Sequence, residues 1–193
     1  MASPQPPDLS SFIAALAREL ARRQLPFMLI GGQAVLLHGR PRLTEDIDVT
    51  LGADPSRLPA VREVCDALDL QPLPQEVDTF VRETFVLPVR RPQTAIRVDF
   101  VFSTTPYEQQ AIERAVRVPV GGVSVPFAAA EDLIIHKLFA GRAVDWEDAV
   151  SVIRRQGRAL DWSYMERWAR EFASVPGRED LPQRLVQLRE QAG

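Results

Sequence analysis

The chain has 193 residues, 46% of them hydrophobic and 25% charged, with a formal net charge of −3 and one cysteine. That length suits one domain or one domain with a helical appendage, and the apolar fraction excludes wholesale disorder. Cys65 alone excludes an intramolecular disulfide and a cysteine cage for a metal, and the mildly acidic balance argues against coating nucleic acid through bulk charge. All but one of the 23 cationic side chains are arginine; the exception, Lys137, lies in the apolar run of residues 133–140. No apolar run reaches the ~18 residues of a membrane span, and the first residues lack the pattern of a signal peptide, so a cytoplasmic location is expected.

Residues 1–7 are Pro-rich and read as a disordered lead-in. Over residues 8–23, Phe12, Ile13, Leu16 and Leu20 recur at helical spacing. Residues 27–30 form a short buried strand that runs into Gly31-Gly32 and then a short helix over 33–38. Residues 46–51 alternate as a second strand, and 54–68 form a helix with Val61, Val64, Cys65 and Leu68 inward. Two further strands are predicted over 84–89 and 95–102, then a polar helix over 104–115. Residues 116–120 and 123–127 flank Gly121-Gly122 as a hairpin. Four helices follow, over 129–142, 145–155, 161–173 and 179–191, with Gly157 and Pro176-Gly177 as punctuation. The reading is therefore an α/β (α+β) chain: a small mixed sheet flanked by helices over 8–127, then a helical C-terminal region over 128–193.

The chemistry concentrates between Gly31 and Val49. Two glycines between a strand and a helix let backbone approach a ligand, and the first helical turn offers unpaired N–H groups to an anion. The plain alternative is a turn and nothing more. Asp46 and Asp48 share one face of their strand, ~6.5 Å apart at Cα, while Ile47 and Val49 anchor the other. Two adjacent carboxylates repel, and a divalent cation with oxygen ligands would offset that cost; the alternative is a solvated edge strand. Asp99 shares a strand face with Arg97, opposite Val98, Phe100 and Phe102. If the two strands are neighbours, it closes a three-carboxylate cluster of the kind that serves in-line displacement at phosphorus.

The remaining candidates have mixed readings. Arg42 either contacts a phosphate or pairs with Glu45. Lys137 has a packed stem and a directed ammonium, or snorkels to the surface. Arg142 supports phosphates or caps a helix end, and Asp145 and Asp148 fit an N-cap and an acidic third position. His38 and His136 lack mutual metal-ligand spacing and read as a helix-end and a helix-surface residue. Arg154 and Arg158 share a helix face, as do Arg167 and Arg170; such faces are usually solvated, or form a basic platform for RNA. Trp146, Trp162 and Trp168 read as helix-packing residues.

The run G-G-x-A-x-x-x-H-G-x-x-R-x-T-x-D-I-D, the later R-V-D-F and then K-L-F-A-G-R-x-x-D-x-x-D resemble the nucleotidyltransferases of the polymerase β superfamily, nearest to the AbiEii/AbiGii-type toxins and related stand-alone proteins. The resemblance spans residues 27–152. It implies that residues 8–127 are the nucleotidyltransferase core, that Gly31, Gly32, Arg42, Lys137 and Arg142 hold a nucleoside triphosphate, and that Asp46, Asp48 and Asp99 are catalytic and bind Mg²⁺, with Mn²⁺ as a substitute. A nucleoside monophosphate would pass to an acceptor hydroxyl on tRNA, protein or a small molecule, with pyrophosphate leaving. A toxin–antitoxin or phage-defence role with a cognate antitoxin follows from the resemblance alone. Many superfamily members carry serine where Gly32 stands, so that hydroxyl contact is absent here. The alternative of another class is a catalytically silent nucleotide-binding or antitoxin-like interaction module, against which the three acids argue.

Overall fold

The computed structural model describes residues 9–41, 44 and 46–193. The predicted lead-in over 1–7, Arg42 and Glu45 lie outside the described residues. In chain order the elements are α1 (Leu9–Arg22), β1 (Phe27–Leu29), α2 (Gly31–His38), β2 (Asp46–Leu51), α3 (Leu58–Ala67), β3 (Gln71–Pro72), α4 (Val77–Thr84), β4 (Val86–Arg90), β5 (Arg97–Phe102), α5 (Pro106–Glu113), β6 (Val116–Val120), β7 (Val123–Phe127), α6 (Ala130–Ala140), α7 (Ala143–Gln156), α8 (Trp162–Phe172) and α9 (Leu181–Ala192). The α/β architecture expected from the sequence is present. Among the described residues, no helix is long and apolar enough to cross a membrane.

Two compact units divide the chain: Met1–Leu29 with Thr44–Phe127, and Ile30–Leu43 with Ala128–Gly193. The first holds the whole sheet, in the order β3-β4-β5-β2-β1-β7-β6. β2 runs parallel to β5 and β1 parallel to β7, while the other pairs are antiparallel. The inward residues Ile47, Val49, Val98 and Phe100 are fully buried, and α1 adds Phe12, Leu16 and Leu20 to the core. At ~0.8 kcal/mol per buried methylene, that apolar face outweighs the cost of placing polar residues on the other one.

The second unit gathers the last four helices around Leu133, Ile134, Val152, Met165 and Leu188. It also takes in α2, which the sequence division at residue 127 leaves with the sheet. The reason is local bonding: the His38 ring bonds the Ala128 carbonyl at 2.8 Å, and Gln156 donates to the His38 carbonyl at 3.1 Å.

Three differences from the expected elements have physical causes. α2 begins at the glycines themselves, so Gly31 and Gly32 form its first turn rather than a preceding loop. The start of the predicted helix over 54–68 is a separate 3-10 turn at Pro55–Arg57, opened by the Asp54 carboxylate, which accepts the Ser56 N–H at 2.7 Å, and closed by the Arg57 N–H on the Asp54 carbonyl at 3.0 Å. β3 and α4 were not expected: β3 has two exposed residues, and α4 buries only Val81, so neither carries a strong apolar pattern.

The β6–β7 hairpin closes through Gly121 and Gly122, with φ of +53° and +74°, the geometry of a two-residue primed turn. A Cβ on Gly121 would stand 2.9 Å from the Ala14 Cβ of α1, whereas one on Gly122 meets nothing within 4 Å. Gly121→Ala is therefore expected to lower stability by about 1–3 kcal/mol and Gly122→Asn by less than ~1 kcal/mol. Urea unfolding of both variants checks this, and equal losses would contradict the α1 contact.

Candidate active site

The acids are set by strand registry within the first unit. β2 and β5 run parallel with Asp46 opposite Arg97 and Asp48 opposite Asp99. Neighbouring strands lie ~4.8 Å apart and alternate residues share a face, so Asp46, Asp48, Arg97 and Asp99 form one patch on the side away from the core. Asp46 is exposed, while Asp48 and Asp99 are half-buried. Two unit charges ~5.5 Å apart near a protein surface repel by about 3 kcal/mol, so the Asp48–Asp99 pair needs a positive partner.

Arg97 supplies one. Its Nε and Nη2 donate to Oδ1 and Oδ2 of Asp99 at 3.0 and 3.1 Å, a fork-on-fork pair. The Asp99 hydrogen bond is the main cause holding the Arg97 guanidinium above its ordinary pKa, with further contributions from the charges of Asp46 and Asp48. Among the described residues, no three His, Cys, Asp or Glu side chains are already gathered as ligands for a metal. The backbone register brings the three predicted acids to one patch, and the Asp99 side chain is turned to Arg97. The donor set, all carboxylate oxygen, fits a hard divalent cation such as Mg²⁺, which takes oxygen ligands and leaves positions for phosphate.

Gly31 and Gly32 open α2 in the second unit. Gly31 has φ of +60°, which a side chain would strain, so the helix entry depends on glycine there. No side chain caps this helix, and its first turn carries no acid. The N–H groups of that turn and the positive end of the helix dipole are thus left to other acceptors. Arg42, the third predicted phosphate contact in this run, is outside the described residues.

Lys137 lies on α6 in the second unit. It is buried, 5% exposed, and its Nζ lies 2.8 Å from Oδ1 of Asp145 and 2.8 Å from Oδ2 of Asp148. Asp145 stands at the third position of α7, not at its cap; the cap is Arg142, whose backbone N–H donates to Oδ2 of Asp145 at 3.2 Å. Nε of Arg142 also grips that oxygen, at 2.6 Å, with most of the side chain exposed. Burial pushes the Asp145 carboxyl up, but the bonds from Arg142 and Lys137 outweigh it and hold the group below the usual carboxylate range. The sequence run K-x-x-x-x-R-x-x-D-x-x-D is therefore, first of all, an internal ionic latch between α6 and α7.

Sequence reasoning did not find a cleft of about 890 Å³ in the second unit, lined among others by Arg40, Trp146, Ser151, Arg154 and Arg155. Arg155 donates to the Gly39 carbonyl at 2.8 Å, and the Arg40 N–H donates to Ser151 Oγ at 3.1 Å. Its lining comes mainly from residues 39–41 and 146–155, two segments whose pairing no spacing in the sequence marks. Trp146 bonds Gln191 through its indole N–H at 2.7 Å, and Trp162 and Trp168 pack under Arg189 and Arg167, which agrees with helix packing.

The mixed sheet with paired acids on parallel central strands, followed by helices, has the polymerase β nucleotidyltransferase fold. The family model of the AbiEii nucleotidyl transferase toxin of type IV toxin–antitoxin systems matches residues 14–159, and the chain belongs to that family. Several solved structures share the fold. The antibiotic-resistance factor ANT(2'')-Ia, in its solution structure, is 15% identical with a TM-score of 0.59, covering 94% of this chain and 95% of that one. An antigenic nucleotidyltransferase-like protein from Paracoccidioides brasiliensis is 17% identical with a TM-score of 0.57, covering 95% and 91%. The lincomycin-bound lincosamide antibiotic adenylyltransferase LnuA is 13% identical with a TM-score of 0.51, covering 74% and 94%. No relative among curated protein sequences matches the chain.

Two predictions follow from the second unit. Lys137→Met leaves two buried carboxylates short of their cation and is expected to cost about 3–5 kcal/mol in urea unfolding; a loss below ~1 kcal/mol would contradict the latch. His38 is the pH-sensitive member. Burial holds its pKa below the ordinary histidine value against the smaller, opposite effect of the Ala128 carbonyl. The unfolded chain therefore takes up a proton first, so His38 stabilises above the unfolded pKa of ~6.5 and that contribution falls as pH drops below it. Melting temperatures between pH 8 and pH 5 should fall less steeply for His38→Gln than for the wild type.

Proposed function

We propose that the chain is a Mg²⁺-dependent nucleotidyltransferase that moves a nucleoside monophosphate from an NTP to an acceptor hydroxyl, acting in the cytoplasm as the toxin of a toxin–antitoxin or phage-defence pair. The observation that carries this reading is the parallel register that sets Asp48 beside Asp99 with Asp46 on the same face. Asp46, Asp48 and Asp99 would hold the metal, which supplies charge neutralisation of the triphosphate and a more acidic acceptor hydroxyl when bound. Mn²⁺ would substitute.

The chain's own residues then divide the work. The uncapped first turn of α2 at Gly31 and Gly32 offers backbone N–H groups to phosphate oxygens. Arg42 and the exposed Arg142 add positive charge for the triphosphate. Lys137, the remaining residue assigned to the triphosphate, bonds Asp145 and Asp148 and so steadies the Arg142–Asp145 fork. Asp99 receives the proton of the attacking hydroxyl. One bond forms between the acceptor oxygen and the α-phosphorus, the bond to the β-phosphate oxygen breaks, and pyrophosphate leaves.

Among tRNA, protein and small-molecule acceptors, RNA is favoured by the cleft with Arg40, Arg154 and Arg155, a lining suited to phosphodiesters. ANT(2'')-Ia and LnuA are described with antibiotics, and that class is the second reading; the cationic lining counts against it.

The test is label transfer from each α-labelled NTP with Mg²⁺ or Mn²⁺ to total tRNA, protein extract and an antibiotic panel. Transfer to tRNA is expected, abolished in Asp46→Ala and Asp48→Ala and slowed roughly 10²–10⁴-fold in Asp99→Asn. Intact protein that transfers to none of these acceptors and binds no NTP would sink the enzyme reading and leave the silent module.

A further inference from the structure

Arg97 is a cation within the acid patch, bonded to Asp99, and neither the sequence motif nor the family match assigns it a part. It stands two residues before Asp99 on the same face of β5, and both carboxylate oxygens of Asp99 accept from its guanidinium, at 3.0 and 3.1 Å. Its two cross-strand neighbours pull it the same way. On β4 it faces Arg90, and on β2 it faces Asp46. Like charges directly opposite repel and unlike ones attract, so the guanidinium is pressed from the Arg90 side towards the acids. The side chain is nevertheless 46% exposed, with solvent to swing into.

We propose that Arg97 is a built-in competitor for the divalent cation: guanidinium and metal exclude one another at Asp99, so the site loads metal only as Arg97 lets go. This rests on the reading of Asp46, Asp48 and Asp99 as metal ligands. A planar fork engages both oxygens of Asp99, the atoms a metal shared with Asp48 would need. A doubly charged ion within a few ångströms of the same fork would be repelled by it. An exposed pair of this kind is weak enough to break on metal entry and strong enough to tax it. Without metal, Arg97 offsets the charge of Asp99; with metal, that task passes to the ion. Arg97 is thus a positioning residue that sets how readily the acids take up a cation.

The test uses the full chain without nucleotide and Mn²⁺ as the probe, titrated by the electron paramagnetic resonance of the free ion. Arg97→Gln is expected to bind Mn²⁺ about three- to tenfold more tightly than the wild type, and Arg97→Lys, which keeps the charge but loses the fork, falls between them. In parallel, the ¹⁵Nε signal of Arg97 in the wild type should move to the position of a solvent-exposed arginine as Mg²⁺ is added, a readout independent of any variant's folding. Wild-type binding with no gain in folded Arg97→Gln, or an Arg97 signal unmoved at saturating Mg²⁺, overturns the competition while leaving the metal site intact. Mn²⁺ binding by neither protein, up to millimolar concentrations, overturns the metal reading and this proposal together.

Discussion

The parallel pairing of β2 with β5 is the constraint on which the rest of the first unit depends. It sets Asp48 against Asp99, and by the two-residue period of a strand it sets Asp46 and Arg97 beside them on one face. The opposite face is closed by Ile47, Val49, Val98 and Phe100, none of which has measurable exposure. A slip of one residue would bury the acids and expose those side chains, so the apolar face locks the charged face in register. The fold thereby builds an unfavourable charge cluster from a favourable hydrophobic one. Function and stability draw on alternate residues of the same two strands.

A second, separate ionic arrangement organises the helical unit. Lys137 on α6 joins Asp145 and Asp148 on α7, and Arg142 closes over Asp145 from the helix start. Buried pairs of this sort add little net stability relative to apolar packing, yet are costly to break singly. Their value here is geometric. They fix the turn at Gly141, where φ is +74°, and with it the direction of the exposed Arg142. His38 does similar work for α2 through the Ala128 carbonyl.

Much of this was legible in the sequence because alternation and helical periodicity report burial directly. The strand at 46–51, the hairpin at Gly121-Gly122 and the four final helices appear within a few residues of where periodicity puts them. The acids were legible for the same reason: Asp46, Asp48 and Asp99 interrupt apolar strands at alternate positions, and the motif spacing ties them to a family. What was not legible is pairing between distant segments. That Arg97 grips Asp99, that Lys137 turns inward to Asp145 and Asp148, and that residues 39–41 share a cleft with α7 all depend on which residues meet in space. A lone lysine in an arginine-rich chain marked a position of consequence, but the ammonium's partner could not be read from spacing alone. α4 escaped notice because one buried residue, Val81, leaves almost no periodic signal.

The central claim is that the register of β2 and β5 exists to bind a divalent cation. Crystals of the full chain grown with Mn²⁺ and a non-hydrolysable NTP analogue, measured at the manganese absorption edge, test it most directly. The account predicts an anomalous peak within ligand distance of Asp46, Asp48 and Asp99, with Arg97 turned away from Asp99. No peak at those three carboxylates, with nucleotide bound and Arg97 still paired to Asp99, would contradict it.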